Sequence, residues 1–560
     1  MLSRRRFLQN TAAAAVTGAA LGLGLPGRLQ ARAKGAASFD VLIKNGLIYT
    51  GDGRAPIPGD LGIKDGKIMA MGQLGDTADQ LIDAQGKAVT PGFIDIHSHT
   101  DTNLFQCPAG DSKLFQGVTT DVGGNCGDSP FPYSDEEFAR RKGSLRHGYP
   151  YWQDIDGFYD ALTKNKIGIN YMSYTGQGQL RSAVVGDNAV PSTPEQLAKM
   201  KKILAKELEM GSLGISFGLE YAPGSYASNE ELLEMCKVVA EYNGLFAIHM
   251  RNEDDRVEEA IKEAIQFARL SGVRLQISHL KAQNAANWHK GPAMLKLIDE
   301  ARSSGVDIAF DRYPYTAFST GLNSFIPLQD RQGSNADVVA RLKDPVKRKE
   351  IAAYGASRIE RLGGPKNVVI TSGDKPHNRQ YIGKNLEESA ALAQKDIDTF
   401  LYDLLIDENT SVSMIGFAMA ESNLDLFYSH HLGMPASDGS VYSPQGPLSE
   451  SMPHPRSYGT FPRFLSQFVR DRKVLDLPTA IYKMTALPAS RLHLKDRGLL
   501  IPGYRADVLV FDLNQIKETS EYPAPHQLAQ GIDHIFVNGV WTLQGGQYTG
   551  ARAGEVLRLS

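Results

Sequence analysis

A chain of 560 residues, 42% hydrophobic and 22% charged, has the composition of a folded globular protein long enough for one large domain and a satellite. Its 60 basic and 63 acidic side chains leave a formal net charge of −3, which excludes the cationic excess expected of a nucleic-acid binder or a protein held on an anionic membrane. Three cysteines, Cys107, Cys126 and Cys236, are an odd count that excludes a disulfide framework and leaves at least one thiol to explain.

The amino terminus stands apart from this background. "SRRRFLQ" (Ser3 to Gln9) precedes a small apolar run and then "ARA" (Ala31 to Ala33), the charged, apolar and cleavage regions of a signal peptide in their proper order. The paired arginines with Phe7 and Leu8 are similar to a twin-arginine export signal, so residues 1–33 are expected to direct a folded protein to the periplasm and then be removed. No later stretch reaches the roughly 18 unbroken apolar residues of a membrane helix, and the mature chain is expected to carry no membrane anchor.

Residues 39–90 alternate apolar and polar positions in "FDVLIKNGLIYTG", "GDLGIKDGKIMAMG" and "QLIDAQGKAVTPG", where NG, DG and QG read as hairpin turns. The same texture returns over 491–560 in "ADVLVFDL" and "IDHIFVNGVWTLQGGQYTG", so the two chain ends are predicted to pair as one small β-sandwich. Between them, over 91–490, eight short buried strands alternate with amphipathic helices: 92–97, 118–124, 168–176, 213–218, 245–250, 274–280, 306–313 and 433–439. This α/β pattern predicts a (β/α)8 TIM barrel, a fold that carries its chemistry at the strand carboxyl ends. More than a hundred residues separate the last two strands, far beyond one connection, and an insertion at about 320–410 is expected to cover the barrel mouth.

Metal-binding residue types recur at those strand ends. His97 and His99 close the first strand, Cys126 follows the second, His249 ends the fifth, His279 the sixth and Asp438 the eighth. An H-x-H pair on an extended strand points both imidazoles to one side, and thiolate combined with imidazole favours zinc over magnesium or calcium.

"GFIDIHSHTD", "QGVTT…GGNCG", "FAIHMRNE", "ISHLKAQNAANW", "DRYPYTA", "ASDG", "HPRSYGTFPR" and "TALPASRLHLKDRGLLIPGYRADVLVFD" together resemble the amidohydrolase superfamily. Within it they are similar to the D-aminoacylase, or N-acyl-D-amino-acid deacylase, family, from about Phe39 to the end. That resemblance implies a cysteine where many amidohydrolases hold a carboxylated lysine. It implies one tightly held zinc on Cys126, His249 and His279, and a second, weaker position at His97 and His99 sharing the same cysteine. Asp438 matches the carboxylate that moves protons. Arg456, Lys281 and Tyr313 match positions that hold the free carboxylate of the substrate, for which the Arg fork of donors is suited. Glu220, in "FGLEYAPG" after the fourth strand, is a further candidate for contact with metal or substrate.

The function implied is zinc-dependent hydrolysis of N-acyl-D-amino acids, small molecules rather than macromolecules. Three alternatives stand beside it. A dipeptidase cutting L-Xaa-D-Xaa needs the same chemistry, because an aminoacyl group is an acyl group. A hydantoinase- or dihydroorotase-like cyclic-amide hydrolase would be expected to use a bridging lysine, whereas "GGNCG" supplies a thiol. A silent binding protein on the same scaffold is disfavoured by the complete metal set with Asp438. His430 and His431 face opposite ways on an extended chain and are read as structural, as are Cys107 and Cys236.

Overall fold

The computed structural model describes residues 38–559; the signal-peptide reading of residues 1–33 lies outside them. The two ends of the described chain form one hydrogen-bonded sheet of nine strands, five from Phe39–Ile48 to Ala88–Pro91 and four from Val508–Phe511 to Gln547–Tyr548. They meet where Ala88–Pro91 runs antiparallel to Val508–Phe511. Val41, Ile43, Leu61 and Ile63 share one apolar cluster with Val508, Val510 and Phe536, so neither half buries its face without the other.

The turn dipeptides divide into two kinds. Asp65-Gly66 and Asn538-Gly539 both have positive φ at each residue and join antiparallel strands with the twist that a two-residue hairpin requires. Asn45-Gly46 does not, contrary to the hairpin reading. It sits inside Phe39–Ile48 as a bulge, between pairing with Ala78–Asp83 and pairing with Ala88–Pro91. Gly46 is needed there, since a Cβ would lie 2.5 Å from Val89 Cγ2. Gln85-Gly86 likewise joins strands that both pair in parallel with Phe39–Ile48 rather than with each other.

The eight expected barrel strands are present in chain order and parallel: Phe93–Asp95, Val118–Gly123, Asn170–Ser173 continuing into Thr175–Gly176, Gly214–Gly218, Leu245–His249, Arg274–Ile277, Ile308–Arg312 and Gly433–Pro435. Closure comes from a parallel bridge between Ser98 and Gly439, with Asp438 N donating to His97 O at 2.8 Å. Beneath the closure, fully buried Lys113 donates to Asp95 at 2.6 Å and to Ser437 Oγ at 2.6 Å and lies 3.4 Å from Asp121, tying the first, second and eighth strands together. The helix Pro194–Glu209 begins with a capping box from Thr193 and Gln196 and packs Met200, Leu204 and Leu208 inward.

Between the last two barrel strands lies a unit with its own core. Ala317–Gly321 and Val368–Ile370 flank Ser413–Phe417 in an antiparallel sheet, packed against the helices Asn335–Lys343, Pro345–Arg361, Leu386–Leu392 and Ile397–Asp407. Its first and last strands are paired neighbours, so the unit is inserted without disturbing the barrel register. Among the described residues no helix is long and apolar enough to cross a membrane.

Candidate active site

At the carboxyl ends of the strands is a cavity of about 880 Å³, lined by barrel loops and by residues of the inserted unit such as Phe318, Arg331 and Arg358. Every metal, catalytic and substrate-binding candidate from sequence lines it except His97, which is wholly buried.

Cys126 Sγ lies 3.3 Å from His97 Nε2 and 3.5 Å from His279 Nε2, and His249 Nδ1 is 2.9 Å from His279 Nε2. Asp438 Oδ1 is 3.3 Å from His97 Nε2 and 3.0 Å from His99 Nε2. Two overlapping groups therefore gather their donor atoms within 4.8 Å: Cys126, His249 and His279; and His97, His99, Cys126 and Asp438. Three of these residues hold a left-handed backbone, Cys126 at φ 54°, His279 at 36° and Asp438 at 48°. Such conformations cost on the order of 1–3 kcal/mol each and persist where the surroundings fix them. His279 N donates to Asp311 at 2.8 Å, and the Cys126 carbonyl is packed so closely on Gly218 that a Cβ there would lie 1.9 Å from it.

The opposite ring nitrogens show how the histidines are oriented. His97 Nδ1 lies 3.0 Å from Asp311 and His279 Nδ1 3.0 Å from Glu253, leaving Nε2 of each free for the cluster. His249 is turned the other way. Its Nδ1 faces the cluster, while its buried Nε2 makes no hydrogen bond and faces Glu220 at 3.6 Å and Glu253 at 3.7 Å. Asp311 and Glu253 were missed from sequence. The same strand-end rule reaches Asp311, which is on the seventh strand in "VDIAFDRY", and Glu253 follows His249 by four residues.

Burial alone would push the Cys126 thiol up, but the charges of His97 and His279 with hydrogen bonds from His249 and His279 hold it well below its ordinary value. Burial opposes protonation of His99 and His249, yet contacts with Asp438 and Cys126 raise His99 to about 10, and Glu253, Cys126 and Glu220 raise His249 to about 10. Asp438, buried, is held well below the carboxylate range by Arg456, His279 and His97. A thiolate and a carboxylate that favour the protonated forms of His97, His99 and His249 make a donor set that a divalent cation satisfies by replacing protons, and the residues fit zinc.

Arg456 Nη1 is 2.7 Å from Asp438 Oδ2 in an ion pair, and the Arg456 guanidinium lies over the Tyr313 ring at 4.8 Å. Lys281 Nζ lies 5.9 Å from that ring and donates to Glu253 at 2.6 Å. Tyr313 Oη is buried without a hydrogen-bond partner, so these three groups leave donor capacity at one wall of the cavity. His430 and His431 are elsewhere, beside Asp299, which accepts from His430 at 3.0 Å.

A model of the amidohydrolase family matches residues 80–383 and 446–542. An N-acyl-D-glutamate deacylase of Alcaligenes xylosoxydans xylosoxydans is 35% identical over 90% of this chain and 93% of its own length. A D-aminoacylase of the same organism is 32% identical over 93% and 97%. Among solved structures, the N-acyl-D-glutamate deacylase of Bordetella bronchiseptica, complexed with zinc and a phosphonate mimic of the tetrahedral intermediate, superposes with a TM-score of 0.79. It is 32% identical and covers 93% of this chain and 100% of that one.

Proposed function

This chain belongs to the amidohydrolase family, and from that membership we propose that it hydrolyses the amide bond of N-acyl-D-amino acids, releasing a carboxylate and a free D-amino acid. The observation that carries the reading is the convergence of Cys126, His249, His279, His97, His99 and Asp438 on one cavity that also presents Arg456, Lys281 and Tyr313.

Cys126, His249 and His279 would hold the tighter zinc, and His97 and His99 a second position. The chemistry a zinc ion would supply there is polarisation of the scissile carbonyl and acidification of water. The chain's own groups do the rest. Asp438, ionised at neutral pH, accepts the proton of the attacking water and later delivers it to the departing nitrogen. Arg456, Lys281 and Tyr313 pair with the α-carboxylate and fix which face of the amide meets the water. Asp311 and Glu253 keep His97 and His279 in the ligating orientation. The inserted unit contributes Phe318, Arg331 and Arg358 to the cavity wall. L-Xaa-D-Xaa dipeptides fit the same chemistry, with Asp128, exposed in the mouth, as the group that meets a free ammonium. Cys126 stands where a cyclic-amide hydrolase would be expected to use lysine, which disfavours that reading. The twin-arginine-like start supports export of the folded enzyme to the periplasm.

The test is a panel of N-acetyl-D- and N-acetyl-L-amino acids and L-Xaa-D-Xaa dipeptides, assayed with zinc-loaded protein and with Asp438→Asn. The D-substrates are expected to turn over, and Asp438→Asn is expected to lose about 10²–10⁴-fold in kcat. Activity confined to L-substrates, or an unaltered Asp438→Asn, overturns the reading.

A further inference from the structure

Two residues before Arg456 in "HPRSYGTFPR" is a buried histidine, His454, that does not line the cavity. Tyr315 and Tyr522 meet its ring edge-on, with centroids 5.0 and 5.2 Å away. Both ring nitrogens are engaged: Nδ1 accepts from the backbone N–H of Arg456 at 3.0 Å, and Nε2 donates to the Ala317 carbonyl at 3.0 Å. A backbone N–H can only donate and a carbonyl can only accept, so the ring is neutral with its one proton on Nε2. A second proton would set a donor against the Arg456 N–H. Burial, and then the charge of Arg456, hold His454 well below the ordinary imidazole value, against the opposing effects of the Ala317 carbonyl and Asp438.

Arg456 opens the helix Arg456–Arg463, whose first-turn N–H groups have no intrahelical partner. His454 Nδ1 supplies the acceptor for one of them and pins the backbone from which the guanidinium reaches Asp438 at 2.7 Å and lies over Tyr313 at 4.8 Å. The far side of the imidazole is pinned as well. Ala317 begins the first strand of the inserted unit and pairs with Phe417 on the last. Ala418, the next residue, accepts from Asn284 N at 2.9 Å and from Trp288 Nε1 at 2.8 Å, on the loop that carries Lys281. The two loops assigned to the substrate carboxylate are thus tied to one pair of strands, the Arg456 loop through His454.

We infer that His454 is a positioning residue: a neutral imidazole, acceptor at Nδ1 and donor at Nε2, sets where Arg456 presents its guanidinium to the α-carboxylate of the substrate. This rests on the deacylase reading and deepens it. His454 acts through Arg456, and the Ala317 carbonyl acts through His454 by holding the proton on Nε2 and leaving Nδ1 free to accept.

Two substitutions separate the nitrogens. His454→Asn keeps an amide oxygen near Nδ1 to accept from Arg456, whereas His454→Gln keeps an amide nitrogen near Nε2 to donate to Ala317 and loses the acceptor. Each zinc-loaded variant is assayed with the N-acetyl-D-amino acid that the wild type uses best and with the primary amide of that compound, which lacks the carboxylate charge. His454→Gln is expected to raise KM for the acid by about tenfold, with kcat falling by less than about threefold, and to shrink the acid-over-amide ratio of kcat/KM by about tenfold. His454→Asn is expected to keep that ratio within about threefold of the wild type. General damage to the fold lowers acid and amide alike within one preparation, so the ratio reads carboxylate placement alone. A ratio unmoved by His454→Gln, or lost equally in His454→Asn, overturns positioning through Nδ1 and leaves the deacylase reading intact. A wild type that uses acid and amide equally overturns it too, by removing the carboxylate from Arg456. No turnover of any D-substrate overturns the deacylase reading and this inference with it.

Discussion

Cys107, Cys126 and Cys236 are all buried and unpaired, yet they differ in charge. Burial pushes Cys107 up to about 12 and Cys236 well above the ordinary thiol range, whereas the imidazoles around Cys126 reverse that effect. Thiolate character is what a metal needs, so Cys126→Ala is expected to lose the tightly bound zinc and, with it, activity, while Cys107→Ala and Cys236→Ala keep both. Metal content of the purified variants, read by atomic emission, checks this: zinc retained by Cys126→Ala would remove the thiol from the site. The candidacy of Cys126 was legible because it follows a strand in step with histidines after others. Its left-handed backbone was not legible, since φ 54° occurs where the Cys126 carbonyl packs against Gly218 of the fourth strand, a contact distant in sequence. Arg331 and Arg358 were invisible too, because a lone Arg in a long insertion reads as a solvated charge until the unit folds back over the mouth.

At the scale of elements, the helix Pro194–Glu209 shows how tertiary contact changes the chemistry of a side chain on its inner face. Glu207 is nearly fully buried and accepts from Ile155 N at 2.9 Å, at the start of the helix Ile155–Asn165. Burial pushes its carboxyl up to about 8 from an ordinary 4.5. The folded pKa lies above the unfolded one, so between about pH 4.5 and 8 the unfolded chain releases a proton that the fold retains. Stability from this group therefore falls as pH rises through that window and is level above it. Glu207→Gln removes the slope while leaving an oxygen acceptor for Ile155. Its Tm relative to wild type is expected to match near pH 4.5 and rise steadily to pH 8; a pH-independent difference would show that Glu207 ionises freely in the fold. Turn elements repeat the lesson. Asp65-Gly66 and Asn45-Gly46 are alike in local chemistry, but only the first joins antiparallel partners, because the second lies where one strand changes neighbours.

For the whole molecule, the barrel and the sheet made from both chain ends depend on the last residues. Tyr171 on the third barrel strand pairs with Val556, and Arg497 links Asp507 to Glu555. Contacts between the third barrel strand and residues 555–556 therefore tie the barrel to the two-ended sheet through positions hundreds of residues apart. Replacing Arg4 and Arg5 together by Lys is expected to leave active, zinc-loaded enzyme in the cytoplasm. Unchanged appearance in a periplasmic fraction would refute the twin-arginine route. Sequence by itself determined the eight strands, the pairing of the chain ends and the metal-ligating residue types, because strand period, turn chemistry and strand-end placement are local signals. Only the tertiary structure decided which ring nitrogen of each histidine faces the cluster, that Asp311 and Glu253 orient two of them, and that an inserted unit with its own core brings Arg331 and Arg358 to the same cavity. Those depend on contacts between residues tens to hundreds of positions apart, and no local pattern encodes them.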